Sequence, residues 1–63
     1  MSWGDCMLKK IVAEWGPGAE QCAKDIEKGN LPGVAECIAT VVGGISSGAV
    51  LVDLSKWSIE CEL

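Results

Sequence analysis

The four cysteines place the strongest limit on what this chain can fold into. They are Cys6, Cys22, Cys37 and Cys61, in a sequence of 63 residues. A chain this short buries a smaller share of its surface than a larger domain, so its core alone is marginal and cross-links are the usual supplement. An even number of cysteines predicts two disulfides, which form in oxidising compartments. We therefore expect one secreted domain over residues 1–63.

The composition argues against metal, nucleic-acid and enzyme function. The cysteines form no CxxC pair and the chain has no histidine, which disfavours zinc and iron–sulfur sites. Five lysines stand against nine acidic residues, for a net charge of −4, whereas nucleic acid is bound through clustered basic side chains. Arginine, tyrosine and phosphate-binding glycine motifs are also absent. We expect no catalytic activity and no cofactor.

The most apolar stretch runs from Gly33 to Leu54 and carries only two charges. At helical spacing it holds two rows of small residues, namely Ala35, Ala39, Gly43 and Ser47 in one row and Thr40, Gly44 and Gly48 in the other. Small side chains let another helix approach closely, and a GxxxG step such as Gly44 to Gly48 occurs where membrane helices pair. We expect either a tight core here or contact with a membrane or partner at Gly43, Gly44 and Gly48.

A capping pattern predicts the first helix. Ser2 with Asp5 three residues later resembles a capping box. The helix would have Met7 at the edge of an apolar stripe formed by Leu8, Ile11, Val12 and Trp15. The sequence Gly16-Pro17-Gly18 would end this helix and form a corner, because glycine is flexible and proline lacks the donor needed to continue.

The second and third helices are predicted to form a hairpin around Gly29–Pro32. The second helix, roughly Gly18 to Lys28, is mostly polar, and the turn has a glycine for a left-handed cap and a proline to open the next helix. Cys22 lies seven residues before this turn and Cys37 five after it. Antiparallel helices would place both at nearly the same height. A Cys22–Cys37 bridge is therefore expected, although the sequence leaves the other connectivities open.

The fourth helix depends on what happens between Gly43 and Gly48, where glycine and serine are poor helix interiors. If the helix breaks there, a fourth begins near Ala49 with an apolar face of Val50, Leu51, Leu54, Trp57 and Cys61. Four helices stacked up and down return the C-terminal end to the level of Cys6, which predicts a Cys6–Cys61 bridge.

Two features leave alternatives open. Cys6 lies nearly opposite the apolar stripe of an ideal first helix, so it would sit near a frayed end or face a different neighbour. Apolar residues alternate with polar ones from Trp57 to Leu63, which would also suit a terminal strand. We expect helix there, because no second strand is evident to pair with it.

These expectations amount to an all-α fold, a compact four-helix bundle cross-linked by two disulfides. Its glycine-rich apolar segment and linked ends resemble the saposin-like helical bacteriocins in outline. That resemblance implies a small bundle of four or five helices that permeabilises target membranes. This chain differs from those families in being acidic and in having cysteines.

The three tryptophans, Trp3, Trp15 and Trp57, are the only aromatic residues. An indole joins an apolar body to a hydrogen-bond donor and suits membrane or protein interfaces, although ordinary packing is the alternative. We expect a secreted peptide that acts on a target-cell membrane or membrane receptor, as an antimicrobial or toxin. The alternative is a signal, effector or inhibitor that binds a protein through one face of a rigid bundle.

Two further alternatives concern the compartment. The segment Gly33–Val52 is long enough to cross a bilayer as a single span, although its glycines and serines weaken that reading. The N-terminus shows no removable signal sequence, so export would involve a longer precursor or no leader. A cytosolic chain with reduced thiols is the remaining possibility.

Overall fold

A computed structural model describes residues 2–62, except for the side chain of Asp25. Its elements are α1 (Trp3–Trp15), a short 3₁₀ turn (Pro17–Ala19), a long 3₁₀ segment (Cys22–Lys28), α2 (Leu31–Val42) and α3 (Ser47–Glu62). The described range contains no strand, and the molecule measures 31 × 20 × 19 Å. The prediction of a four-helix bundle is confirmed, with 3₁₀ geometry in the second helix.

The helices begin and end at residues whose chemistry suits a helix terminus. The side chains of Ser2 and Asn30 each accept a hydrogen bond from the backbone N–H three residues later, at 3.1 and 3.2 Å. Gly16 and Gly29, with φ of 86° and 78°, end α1 and the long 3₁₀ segment in a backbone region that glycine enters without steric cost. The predicted cap, corner and hairpin are therefore confirmed.

The apolar stretch Gly33–Leu54 is divided between two helices. Gly43 and Gly44, with φ of 71° and 73°, turn the chain after α2. Ser46 then precedes the first residue of α3, and its Oγ accepts the N–H of Ala49 in the first turn of that helix at 3.2 Å. None of the helices within residues 2–62 combines the length and the hydropathy needed to cross a membrane.

The core lies where the three α-helices and the two 3₁₀ elements meet. Its buried side chains are Met7, Ile11, Ala19, Cys22, Ala23, Ile26, Val34, Ala35, Ile38, Val50 and Leu54. In the 3₁₀ elements the buried pairs Ala19–Cys22 and Ala23–Ile26 are each three residues apart, which fits a helix with three residues per turn. Among the described residues, no polar or charged side chain is buried.

The buried face of α1 is rotated from the predicted stripe. Met7 and Ile11 are fully buried, whereas Leu8, Val12 and Trp15 are half-buried. Met7 therefore belongs to the core and not to its edge. The reason is that α1 contacts the 3₁₀ elements as well as α3, so its most buried line falls between these two neighbours.

Helix α1 crosses the C-terminal part of α3. Trp3 Nε1–H donates to the Ser58 carbonyl at 3.1 Å, Cys6 is bonded to Cys61, Lys10 Nζ lies 3.4 Å from Glu60 Oε1, and the Trp15 and Trp57 rings lie 5.2 Å apart. Contacts along the whole of α1 thus converge on residues 57–61. Cys6 therefore faces α3, to which it is bonded through Cys61. The terminal segment is helical to Glu62, and Leu63 lies outside the described residues.

Alanine substitutions at two isoleucines, one buried and one exposed, test this core assignment. Ile38→Ala should lower the free energy of unfolding by about 2–5 kcal/mol, because it empties space around a fully buried side chain. Ile59→Ala removes the same atoms from a side chain that is 63% exposed, and should change that free energy by less than about 0.5 kcal/mol. Urea unfolding followed by circular dichroism measures both, and equal losses would contradict the core assignment.

Candidate functional site

The two disulfides sort the helical elements into pairs. Cys6–Cys61 and Cys22–Cys37 have Cα–Cα distances of 5.7 and 5.5 Å, and none of the cysteines is free. Both predicted bridges are therefore confirmed. The first joins α1 to α3, which we call the outer pair; the second joins the long 3₁₀ segment to α2, which we call the inner pair. Such bridges are typical of oxidising compartments.

The outer and inner pairs are connected covalently only through two stretches of backbone. Residues 16–21 lead from α1 to the long 3₁₀ segment, and residues 43–46 lead from α2 to α3. Both stretches contain glycines with positive φ, namely Gly16, Gly43 and Gly44. No disulfide crosses from one pair to the other. Separation of the pairs is therefore opposed by packing and not by covalent bonds.

The buried side chains between the two pairs are apolar, whereas the exposed Glu27 of the long 3₁₀ segment lies against Gly4 of α1. The inner pair contributes the buried side chains of Ala23, Ile26, Val34, Ala35 and Ile38, and the outer pair contributes those of Met7, Ile11, Val50 and Leu54. The hydrogen bond of Trp3 and the ion pair of Lys10 both lie inside the outer pair. Opening the molecule between its pairs would expose aliphatic surface while leaving those two polar contacts intact.

All three tryptophans lie in the outer pair, at the crossing of α1 and α3. Each is half-buried. The indole N–H of Trp3 is already bonded to the Ser58 carbonyl, and Trp15 packs against Trp57 at an interplanar angle of 54°, an edge-tilted arrangement that aromatic pairs favour. These indoles hold two helices together and also expose part of their apolar surface.

The predicted contact glycines lie elsewhere. Gly43 and Gly44 are exposed, and a Cβ at either would meet nothing within 4 Å; at Gly48 the nearest atom is Ser46 Oγ, at 4.0 Å. No helix of the described chain packs closely on these glycines. Gly48 and Trp57 are separated by about 13 Å along α3, at 1.5 Å per residue. The structure therefore does not bring the glycines and the tryptophans into one patch.

The rows of small residues border an open depression. It has a volume of about 410 Å³ and is lined by Glu36, Ala39, Thr40 and Ser47. The Thr40 hydroxyl donates to the Glu36 carbonyl at 2.9 Å, so it is engaged within its own helix. Three members of the two rows, Ala39, Thr40 and Ser47, thus line a depression that opens to solvent.

Four exposed aliphatic side chains were not anticipated. Val41, Val42, Val52 and Ile59 are 52%, 41%, 66% and 63% exposed. Val52 and Ile59 are seven residues apart, a spacing of two helical turns, which puts them on one face of α3. We call these two side chains the apolar strip; it lies on the face opposite to Val50 and Leu54, with the exposed Ser55 and Lys56 between them.

Neither a metal centre nor a relative points to a specific chemistry. Within residues 2–62, no three His, Cys, Asp or Glu side chains are grouped so that they could hold a metal ion. No family model, curated protein or solved structure matches this chain.

Alanine substitutions test whether the loop glycines serve backbone conformation or helix packing. Gly43 has φ 71° and ψ 153°, so Gly43→Ala should cost about 1–2 kcal/mol of stability through backbone strain. Gly48 lies in the first turn of α3 with room for a Cβ, so Gly48→Ala should stabilise by about 0.5 kcal/mol. Thermal unfolding measures both; a destabilising Gly48→Ala would instead indicate close packing at that glycine.

Proposed function

We propose that this chain is a secreted, membrane-active peptide of the antimicrobial or toxin type, and that it acts by separating its inner pair from its outer pair at a lipid surface. The observation that carries the proposal is the arrangement of the two bridges. Each bridge stabilises one pair, and neither prevents the pairs from moving apart on the connections 16–21 and 43–46.

The energetics of opening depend on the surrounding solvent. In water, exposing the aliphatic surface between the pairs is opposed by about 25 cal/mol for each Å². A bilayer interior accepts the same surface without that penalty. The exposed Val41, Val42, Val52 and Ile59 would supply the first apolar contact with lipid, and the half-exposed tryptophans suit the headgroup region.

Charge sets the lipid preference under this proposal. The net charge of −4 provides no attraction to anionic headgroups. Any affinity must then come from apolar area, as it does for interfacial helices of low positive charge. Leakage from neutral vesicles should accordingly equal or exceed leakage from anionic ones.

A cross-link between the pairs tests the opening mechanism. A Cβ built on Gly4 of α1 lies 2.6 Å from Cγ of Glu27 in the long 3₁₀ segment, so cysteines at these positions would have β-carbons within about 4 Å, as a disulfide needs. The oxidised G4C/E27C variant should lose dye release from liposomes, because its pairs can no longer separate. The control G4S/E27S makes nearly the same substitutions without the bond and should retain wild-type leakage.

Peptide mapping of G4C/E27C must first show the new bridge beside the two native ones. The proposal is wrong if the wild-type chain releases no dye from neutral or anionic liposomes at micromolar concentration. The opening step is wrong if G4C/E27C leaks as fast as G4S/E27S, even though the wild type is active.

A second candidate is a signal, effector or inhibitor that binds a protein partner with a rigid face. The apolar strip of Val52 and Ile59 on α3 favours it, because large exposed side chains on one helix face suit a protein interface. The same cross-linked variant separates the two candidates. A rigid binding module would keep its biological activity when the pairs are joined, whereas a membrane-opening peptide would lose it.

A further inference from the structure

The two disulfides differ in how open they are to solvent. Cys22 is buried, at 6% exposure, whereas Cys37 lies on the exposed side of α2. Cys6 and Cys61 are both half-buried beneath the crossing of α1 and α3. The rate of thiol–disulfide exchange depends on access to the attacked sulfur. Cys37 is therefore the most exposed residue of the four bonded cysteines.

A cavity adjoins the accessible bridge. It has a volume of about 170 Å³ and is lined by Gln21, Cys22, Asn30, Gly33, Val34 and Cys37. Both bonded cysteines contribute to its wall, so a small molecule in the cavity would be next to the S–S bond. The exposed Gln21 offers an amide that could bind the polar groups of a small thiol.

Local charge also distinguishes the bridges. Cys6 follows Asp5 in the chain, and Cys61 stands between Glu60 and Glu62. All three carboxylates are on exposed residues, with Lys10 paired to Glu60. Cys37 has a single acidic neighbour in sequence, Glu36. Since the attacking species is a thiolate anion, the carboxylates of Asp5 and Glu62 should slow its approach to Cys6–Cys61, whereas the charge of Glu60 is offset by Lys10.

We propose that Cys22–Cys37 is a thiol-exchange site, at which a low-molecular-weight thiol attacks Cys37 Sγ and becomes attached there. The thiolate forms a new S–S bond to Cys37, the Cys37–Cys22 bond breaks, and its electron pair leaves on Cys22 Sγ, which takes a proton from water. A second thiol then attacks the mixed disulfide, frees Cys37 as a thiol and leaves as the oxidised dimer. Two thiols are thereby oxidised and one protein disulfide is reduced.

Exchange at this site would release the inner pair and preserve the outer one. The long 3₁₀ segment would lose its disulfide link to α2 and stay joined to it only by the backbone of the hairpin turn, whereas Cys6–Cys61 would still join α1 to α3. The reaction concerns the bridge alone, so it does not depend on membrane activity. It would make Cys37 a modification site in surroundings that contain free thiols.

Trapping the first product tests the proposal on the unmodified, oxidised chain. The protein is incubated with glutathione, quenched with acid, alkylated and mapped at successive times. Glutathione should be attached to Cys37, and Cys22 of the same molecules should be alkylated. This product should form about tenfold faster than any change at Cys6–Cys61. Attachment to Cys22 instead of Cys37, equal rates at the two bridges, or earlier reaction at Cys6 or Cys61 would overturn the proposal.

Cysteamine, a cationic thiol, separates the effect of access from that of charge. The carboxylates around Cys6–Cys61 should attract it, so the preference for Cys37 should shrink in comparison with glutathione but keep its direction. A reversed preference with cysteamine would show that access does not select Cys37 and would overturn the proposal. Variants C22S/C37S and C6S/C61S each retain one bridge and provide mass standards for the assignments.

Discussion

Two nested disulfides are the constraint on which the rest of this structure depends. Cys22–Cys37 lies within the loop closed by Cys6–Cys61, and in the chain-entropy model the two bridges together stabilise a folded chain by about 4–7 kcal/mol. A whole domain of ordinary size has only about 5–15 kcal/mol of stability. The small aliphatic core is thus sufficient because the bridges restrict the unfolded chain. The long 3₁₀ segment, a poorer helix than α1, is joined to α2 by one of them.

The bridges stabilise the fold without fixing the position of the inner pair relative to the outer pair. Each bridge joins elements within one pair, and the buried part of the contact between the inner and outer pairs is aliphatic. Hydrophobic packing is strong in water and loses its driving force in lipid. Under the proposed function, this apolar interface is the one that a lipid environment would weaken. The glycines at both connections provide backbone freedom where such a movement would need it.

Much of the fold could be predicted from the sequence because short-range chemistry determines it. The cap at Ser2, the turns at Gly16 and Gly29 and the symmetry of cysteines around the hairpin are all local patterns. The rotation of α1 that buries Met7 depends on two neighbours at once, and no periodicity within one helix contains that information. The glycines Gly43 and Gly44 illustrate the same limit for the candidate site: spacing predicted a contact groove, whereas their positive φ values serve a turn. The exposed Val52 and Ile59 become recognisable only when the buried face of α3 is known.

Proteolytic cleavage of the unreduced chain after its lysines, followed by identification of the linked peptides, tests the pairing of helices most directly. The protein is isolated without reductant, and its thiols are blocked at lysis. Lysines separate all four cysteines, so each falls in its own peptide, namely 1–9, 11–24, 29–56 and 57–63. The account predicts an intact mass about 4 Da below that of the thiol form, with peptide 1–9 linked to 57–63 and peptide 11–24 linked to 29–56. A link between 1–9 and 11–24, or four free thiols, would contradict it.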